Sequence, residues 1–296
     1  FFVTFGITLY TAFFGTSTAD ANRWLVIGPI QFQPSEMLKI TFIIIFAYIM
    51  AVNFPKYKKM KYCIVPFAAI LVLVCGVLAL QRHISAVMLV VLIGVTMMFV
   101  SGIPRKAFWI FIGCGAAAAL LLVLVIIISG SDKFSYITTR FQSWQDPVSD
   151  IRGDTAQTYQ GLLAIGSGGL FGLGFGESRQ KYLYLPESQN DFIFSVICEE
   201  LGFVGALVVI FLFLMFIIRG FFIASRAKDR FGMLLAVGIV MQKGSQALLN
   251  IAVACNAFPN TGISLPFFSY GGTALMLQLA EVGILLNISR QSNIPR

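Results

Sequence analysis

The sequence predicts an all-α polytopic membrane protein of about eight transmembrane helices with a large external loop, on three observations. Hydrophobic residues make up 58% of 296 positions, only 11% are charged, and Phe alone occurs 29 times. That composition exceeds what a soluble domain needs and makes the bilayer the solvent for most of the chain. Apolar runs long enough to span ~30 Å recur along the sequence. Finally, the basic residues gather in alternate connections between those runs.

The runs lie near 37–53, 62–80, 84–101, 107–129, 192–218, 231–255 and 271–289, after a shorter opening run at 1–15. The chain begins inside that run at Phe1, with no initiator Met, basic flank or cleavage site of small residues. It reads as a fragment whose upstream helices are missing, and not as a signal peptide. Alternation of eight helices puts 54–61, 102–106, 219–230 and the tail from Arg290 on one side. Those segments carry twelve bases (Lys56, Lys58, Lys59, Lys61, Arg105, Lys106, Arg219, Arg226, Lys228, Arg230, Arg290 and Arg296) against one acid, Asp229. Short basic loops face the cytoplasm, so the segment 130–190 is expected outside. One membrane domain is expected over 1–296, with that loop as its main excursion.

Within the external segment, residues 132–154 mix charges and aromatics and read as a structured surface loop. Residues 160–176 (QGLLAIGSGGLFGLGFG) hold seven glycines among Leu, Ile and Phe. No GxGxxG register and no following Lys supports a nucleotide site. An interfacial or re-entrant element fits better, its glycines allowing backbone to approach a partner helix or lipid closely. No internal repeat is evident, nor the paired interrupted helices of a secondary transporter. Cys63, Cys75, Cys114, Cys198 and Cys255 lie in or beside apolar runs without metal spacing and read as small buried hydrophobes.

The stretch 185–202, LPESQNDFIFSVICEELG, concentrates the candidate chemistry. Pro186 stops a helix, Glu187, Ser188, Gln189 and Asn190 are polar, and Asp191 stands at the mouth of a long apolar run. Glu199 and Glu200 follow roughly 12–14 Å deeper at ~1.5 Å per residue. A carboxylate at the mouth of a membrane helix is costly unless solvated or used. Other polar groups on the same side are Arg23; Glu36 and Lys39, which share a helix face; Gln81-Arg82-His83 at a tight turn; Asp154 to Gln160; and the Pro- and Gly-shaped loop 256–272. His83 is the single histidine, and no nucleophile elbow accompanies it. Glu199, Glu200, Lys243 and Glu281 are expected to form a buried structural charge cluster. Asp191 beside the cations Arg23 and Lys39 suits a lipid-linked anionic substrate, with bases on phosphates and a carboxylate taking a proton from a hydroxyl. Ligand spacing for a Ca²⁺ or Zn²⁺ site is absent.

Several motifs then converge. RW followed by QPSE-x-x-K, QSW-x-DP, LLAIGSGGLFG-x-GFG-x-S-x-QK-x-x-YLPE, DFIF-x-x-x-x-EELG and LPF-x-SYGG resemble the SEDS family of peptidoglycan glycosyltransferases, which includes RodA, FtsW and SpoVE. The likeness runs from about residue 23 to 289. It implies a fold of ten transmembrane helices, of which this chain would begin at the third. It implies polymerisation of lipid II into glycan strands for cell division or cell shape, and the S-x-QK-x-x-YLPE spacing leans toward the division-type FtsW and SpoVE branch. By resemblance Asp191 is the catalytic aspartate. Arg23, Glu36 and Lys39, with Gln157 and Gln160, fall to substrate binding. The implied partners are lipid II, a class B penicillin-binding protein transpeptidase and membrane lipid, with no nucleic acid. The implied place is the bacterial cytoplasmic membrane, the active site facing outward. A divalent cation such as Mg²⁺ is the one cofactor admitted. Gln189-Asn190 stand where the family usually has His-Thr, QRHIS replaces the QPDLGT-type turn, and Ala19-Asp20-Ala21 replaces NGA. The alternative is a lipid II flippase, which would need a polar path to the inner side; a scaffold for a transpeptidase would not need Asp191.

Overall fold

The computed structural model describes residues 1–18, 21–27, 30–57, 59–129, 135–150, 153, 155–183, 185 and 188–292. Lys58, Asp132, Asp154, Pro186, Glu187 and Arg296 lie outside the described residues. Eight helices coincide with the eight apolar runs: α1 (Phe2–Phe14), α2 (Pro34–Asn53), α3 (Met60–Leu80), α4 (Ile84–Val100), α5 (Arg105–Ser129), α9 (Ile193–Ser225), α10 (Arg230–Ala254) and α11 (Gly272–Gln291). Among the described residues, five helices are long and apolar enough to cross a membrane: Pro34–Lys56, Lys61–Leu80, Ile193–Ser225, Arg230–Ala254 and Gly272–Gln291. The apolar α1 and α4 are shorter, and α5 extends over 25 residues. The external segment contributes α6 (Ser135–Gln145), α7 (Ala156–Ser167) and the single turn α8 (Gln180–Leu183).

One element departs from the all-helical expectation. Between α1 and α2 the chain forms a small antiparallel sheet, β1 (Thr16–Thr18), β2 (Ala21–Ile27) and β3 (Ile30–Phe32), in the order β1-β2-β3. Thr16 pairs with Trp24, and Leu25 with Phe32. The aromatic and β-branched residues of β2 and β3 favour such strands. The sheet holds Arg23 on its central strand.

The chain divides into two compact units: Phe1–Ala116 with Phe216–Lys243 and Gly271–Arg296, and Ala117–Met215 with Gly244–Tyr270. The core of the first unit is built on α2. Leu38, Phe42, Phe46 and Met50 recur every four residues and are all buried, as are Ile43 and Ala47 in the adjacent row. That spacing makes one face of a 3.6-residue helix, and Phe42, Phe46 and Phe67 of α3 interlock with ring centroids 4.8 and 5.2 Å apart. Lys39 lies one turn before Ile43 in the second buried row. Two of the basic connections meet in this unit, where the Arg230 guanidinium lies 3.1 Å from the Phe54 ring centroid.

In the second unit, α9 is broken at Gly202, where φ is 66° and ψ is −167°. An unbroken helix would have Phe203 and Val204 donate to the carbonyls of Glu199 and Glu200, four residues back. Here Phe203 and Val204 donate to Gly169 and Leu170 at 2.9 and 3.1 Å, and Glu199 and Glu200 accept from Leu173 and Gly174 at 2.9 and 3.1 Å. The glycine-rich segment thus replaces two helical hydrogen bonds with four of its own. Backbone polar groups at membrane depth need such partners. A side chain at Gly168 would strike the Cys198 carbonyl, and one at Gly172 the Glu200 carbonyl. The close-approach reading of these glycines is correct, and the partner is the α9 backbone.

Candidate active site

In the first unit, Pro34 opens α2, and Gln33 precedes it with extended backbone. A proline in the first turn loses no helical hydrogen bond. It starts the helix so that Glu36 and Lys39, three residues apart, meet: Lys39 Nζ donates to Glu36 Oε1 at 2.7 Å. Lys39 is only 2% exposed, so its charge needs this carboxylate. Lys243 of α10 and Glu281 of α11 form a second ion pair, each side chain 1% exposed. The four charges interact across the unit, Glu36 with Lys243 and also with His83, and Lys39 with Glu281. Arg23 reaches the turn after α3, where its Nε donates to the Gln81 carbonyl at 3.3 Å and Nη2 to the Arg82 carbonyl at 2.7 Å. Gln81 in turn donates from Nε2 to the Thr8 carbonyl and Thr11 Oγ1, both at 2.9 Å.

Loss of one partner from a buried pair leaves an uncompensated charge and costs roughly 3–5 kcal/mol. Lys243→Met and Glu281→Gln are each expected to lower the unfolding temperature in detergent strongly. The double variant Lys243→Met/Glu281→Gln should cost less than the sum of the two. Additive losses would show that the two side chains do not depend on each other.

The second unit gathers the remaining candidates. Asp191 is half-buried and immediately precedes the fully buried Phe192 at the start of α9. The loop 256–270 folds beside it. Asn250 of α10 donates from Nδ2 to the carbonyls of Asp191 at 2.7 Å and Ile263 at 2.6 Å. Ser269 Oγ donates to the Asn190 carbonyl at 2.6 Å, and Tyr270 N–H to the Gln189 carbonyl at 2.9 Å. Gly262, at φ 67°, faces the Asp191 carboxylate. Asn260 Nδ2 donates to Gln157 Oε1 at 2.8 Å, Arg140 Nη1 to the Asn260 carbonyl at 3.0 Å, and Trp144 Nε1 to the Asn256 carbonyl at 3.0 Å. Three of the expected outer regions (the start of α7, Asp191 and the loop after α10) are therefore joined here. Gln160 is half-buried on α7, and the next residue, Gly161, leaves room for Phe192: a Cβ there would stand 2.7 Å from the ring.

Glu199 and Glu200 have structural duties. Glu199, 1% exposed, accepts from Ser178 Oγ at 2.5 Å and from the Arg179 and Gln180 N–H groups at 3.1 and 3.4 Å. Glu200 pairs with Lys181 at 2.5 Å and takes the Gly176 and Ser178 N–H groups. That carboxylate raises the Lys181 pKa above 10.5. The lysine's contribution to stability is therefore complete at neutral pH and is lost as pH rises through the raised value. Of the charges expected to cluster, Lys243 and Glu281 pair with each other in the first unit, and Glu199 and Glu200 bond to Ser178 and Lys181 in the second. The roles of Asn250, Asn260, Arg140 and Trp144 were not read from the sequence, although an amide inside an apolar helix and the rigid LPFFSYGG turn are signals for them. Cys63 and Cys198 are buried as expected, whereas Cys114 and Cys255 are exposed. Among the described residues no three His, Cys, Asp or Glu side chains form a metal-ligand group.

A family model described as a cell cycle protein, covering FtsW, RodA and SpoVE, matches residues 1–294. The chain belongs to the FtsW/RodA/SpoVE family. Stage V sporulation protein E of Bacillus subtilis (strain 168) is 37% identical to this family member over 277 residues, 92% of this chain and 72% of that protein. The probable peptidoglycan glycosyltransferase FtsW of the same organism is 38% identical over 284 residues, covering 93% and 69%. Among solved structures, a chain of a peptidoglycan synthase complex that coordinates polymerization and crosslinking superposes with a TM-score of 0.78 at 26% identity, over 99% of this chain and 82% of that one. The rod shape determining protein RodA of Thermus thermophilus gives 0.67 at 25% identity, over 99% and 77%. This member of the FtsW/RodA/SpoVE family is a multi-pass membrane protein with that family's fold.

Proposed function

We propose that this protein is a peptidoglycan glycosyltransferase that polymerises lipid II into glycan strands at the outer face of the bacterial cytoplasmic membrane. The observation that carries the reading is its likeness, over nine-tenths of its length, to a protein named as such an enzyme. The half-buried carboxylate of Asp191, set in a rigid loop cluster at the start of α9, supplies the group such a reaction needs. Asp191 takes the proton of the acceptor sugar 4-hydroxyl as its oxygen attacks the anomeric carbon of the donor. A glycosidic bond forms and the bond from that carbon to the lipid pyrophosphate breaks. The pyrophosphate leaves with the electron pair, and the proton passes from Asp191 to solvent or the departing group. Arg23 and Lys39 hold the pyrophosphate, with Glu36 orienting Lys39, while Gln157 and Gln160 contact sugar. Each step of this scheme is carried by the side chains named above.

A class B penicillin-binding protein is the proposed partner, since a neighbour in structure comes from a complex that couples polymerization with crosslinking. The flippase reading is not favoured. The decisive test is labelled lipid II given to the full-length protein with its transpeptidase. A ladder of glycan products is expected. Folded complex that makes no polymer, or that moves lipid II across vesicles without polymerising it, overturns the proposal.

The outward orientation has its own test. In a background without native cysteines, Ser149→Cys should react with an impermeant thiol reagent on intact spheroplasts, and Lys59→Cys should not. Both positions are exposed, so accessibility in the fold does not bias the result. The reverse pattern would put the Asp191 loop on the cytoplasmic side, away from growing wall.

A further inference from the structure

We propose that Asn250 and Ser269 form a clamp that positions Asp191 for glycosyl transfer; the proposal rests on the reading of Asp191 as the base. Neither side chain was singled out by the chemistry of the motifs. Their importance lies in what they hold. Asn250 is 0% exposed on α10, and its one amide nitrogen bridges the Asp191 carbonyl at 2.7 Å and the Ile263 carbonyl at 2.6 Å. It therefore ties the residue bearing the carboxylate to the residue after Gly262. That glycine stands against the carboxylate, since a Cβ built on it would lie 3.3 Å from Asp191 Oδ2. Ser269 works from the other side. Its hydroxyl donates to the Asn190 carbonyl at 2.6 Å and accepts the Leu265 N–H at 2.7 Å.

With the Tyr270 N–H on the Gln189 carbonyl at 2.9 Å, three successive carbonyls, 189 to 191, are held from outside their own segment. Such a turn cannot carry the Asp191 carboxylate far from its place. An apolar side chain could fill the Asn250 site without the cost of burying an amide. Asn250 instead directs its amide N–H groups to the two carbonyls that flank the carboxylate. Neither Asn250 nor Ser269 touches substrate in this scheme; both act through Asp191.

The test uses the full-length protein with its transpeptidase and fluorescent lipid II. Asn250→Leu, Ser269→Ala and Ser269→Thr are compared with Asp191→Asn for kcat, KM, unfolding temperature and amide hydrogen exchange over 188–196. Small misplacement of a reacting group can lower rate about 100-fold. Asn250→Leu and Ser269→Ala should therefore reduce kcat by ~10–100-fold with KM unchanged, and exchange over 188–196 should quicken. Ser269→Thr, which keeps the hydroxyl, should restore both. Parent-like kcat in Ser269→Ala, or a loss in step with the fraction unfolded, overturns the clamp. Should Asn250→Leu fail to fold, the Ser269 pair decides. If Asp191→Asn polymerises like the parent, the base assignment fails and the clamp with it. If Asp191→Asn is inactive while the other variants match the parent, the clamp alone is wrong.

Discussion

Asp191→Asn is expected to abolish glycan polymerisation while leaving the protein folded and bound to its transpeptidase. The amide keeps the size and most of the hydrogen-bonding capacity of the carboxylate but cannot take the acceptor's proton. General-base catalysis contributes typically 10²–10⁴-fold, so residual activity should fall at least that far. The backbone at this position is anchored independently of the side chain, through Asn250 at 2.7 Å. The half-buried site should therefore tolerate the change without reorganising. The check is a glycan gel with purified complex beside a melting curve and a co-purification. Normal polymer from the variant would remove Asp191 from the mechanism.

Gly202→Ala is expected to be among the most damaging single substitutions in the chain, though it adds one methyl group. Two costs combine. The position has φ 66°, a region that side chains avoid, and the new Cβ would stand 2.6 Å from the Leu170 carbonyl carbon. Because that obstacle is backbone held by paired hydrogen bonds, it cannot turn aside. A loss on the order of 3–5 kcal/mol follows, seen as a large drop in unfolding temperature with easier proteolysis of the 168–183 segment. Gly176→Ala is the control. It also has positive φ, at 87°, but nothing lies within 4 Å of the added Cβ, so only the backbone cost of about 1–2 kcal/mol applies. Equal losses at the two sites would mean that the backbone interlock adds nothing.

Much of the architecture was legible because bilayer physics acts on composition. The eight apolar runs became eight helices, and the four-residue recurrence of Leu38, Phe42, Phe46 and Met50 marked the face that α2 buries. The same recurrence, continued back from Ala47 and Ile43, reaches Lys39, so its burial against Glu36 was also in principle readable. The small sheet at 16–32 was missed because strands of three to seven residues leave too short an alternation to stand out beside helical runs. The partners of the α9 acids were missed for another reason. Spacing along α9 places Glu199 and Glu200, but their partners Ser178 and Lys181 lie about 20 residues back and reach them only through the folded glycine segment. Asn250 was invisible as a functional residue because its bonds go to carbonyls, which every residue possesses and no motif records. Asp191 stands out as a candidate in the sequence, since an acid at the mouth of a long apolar run is conspicuous on charge alone.

The interlock at Gly202 bears on how the protein reaches its folded state. Residues 193–225 enter the membrane as one long apolar stretch, which left to itself would close into an unbroken helix. The segment 168–174 emerges from the ribosome first, with N–H and carbonyl groups that lack partners until α9 opens to receive them. Each such group left bare in hydrocarbon costs several kcal/mol. Break and loop therefore depend on each other in the folded state, and the placement of everything between them, Asp191 included, rests on that pairing.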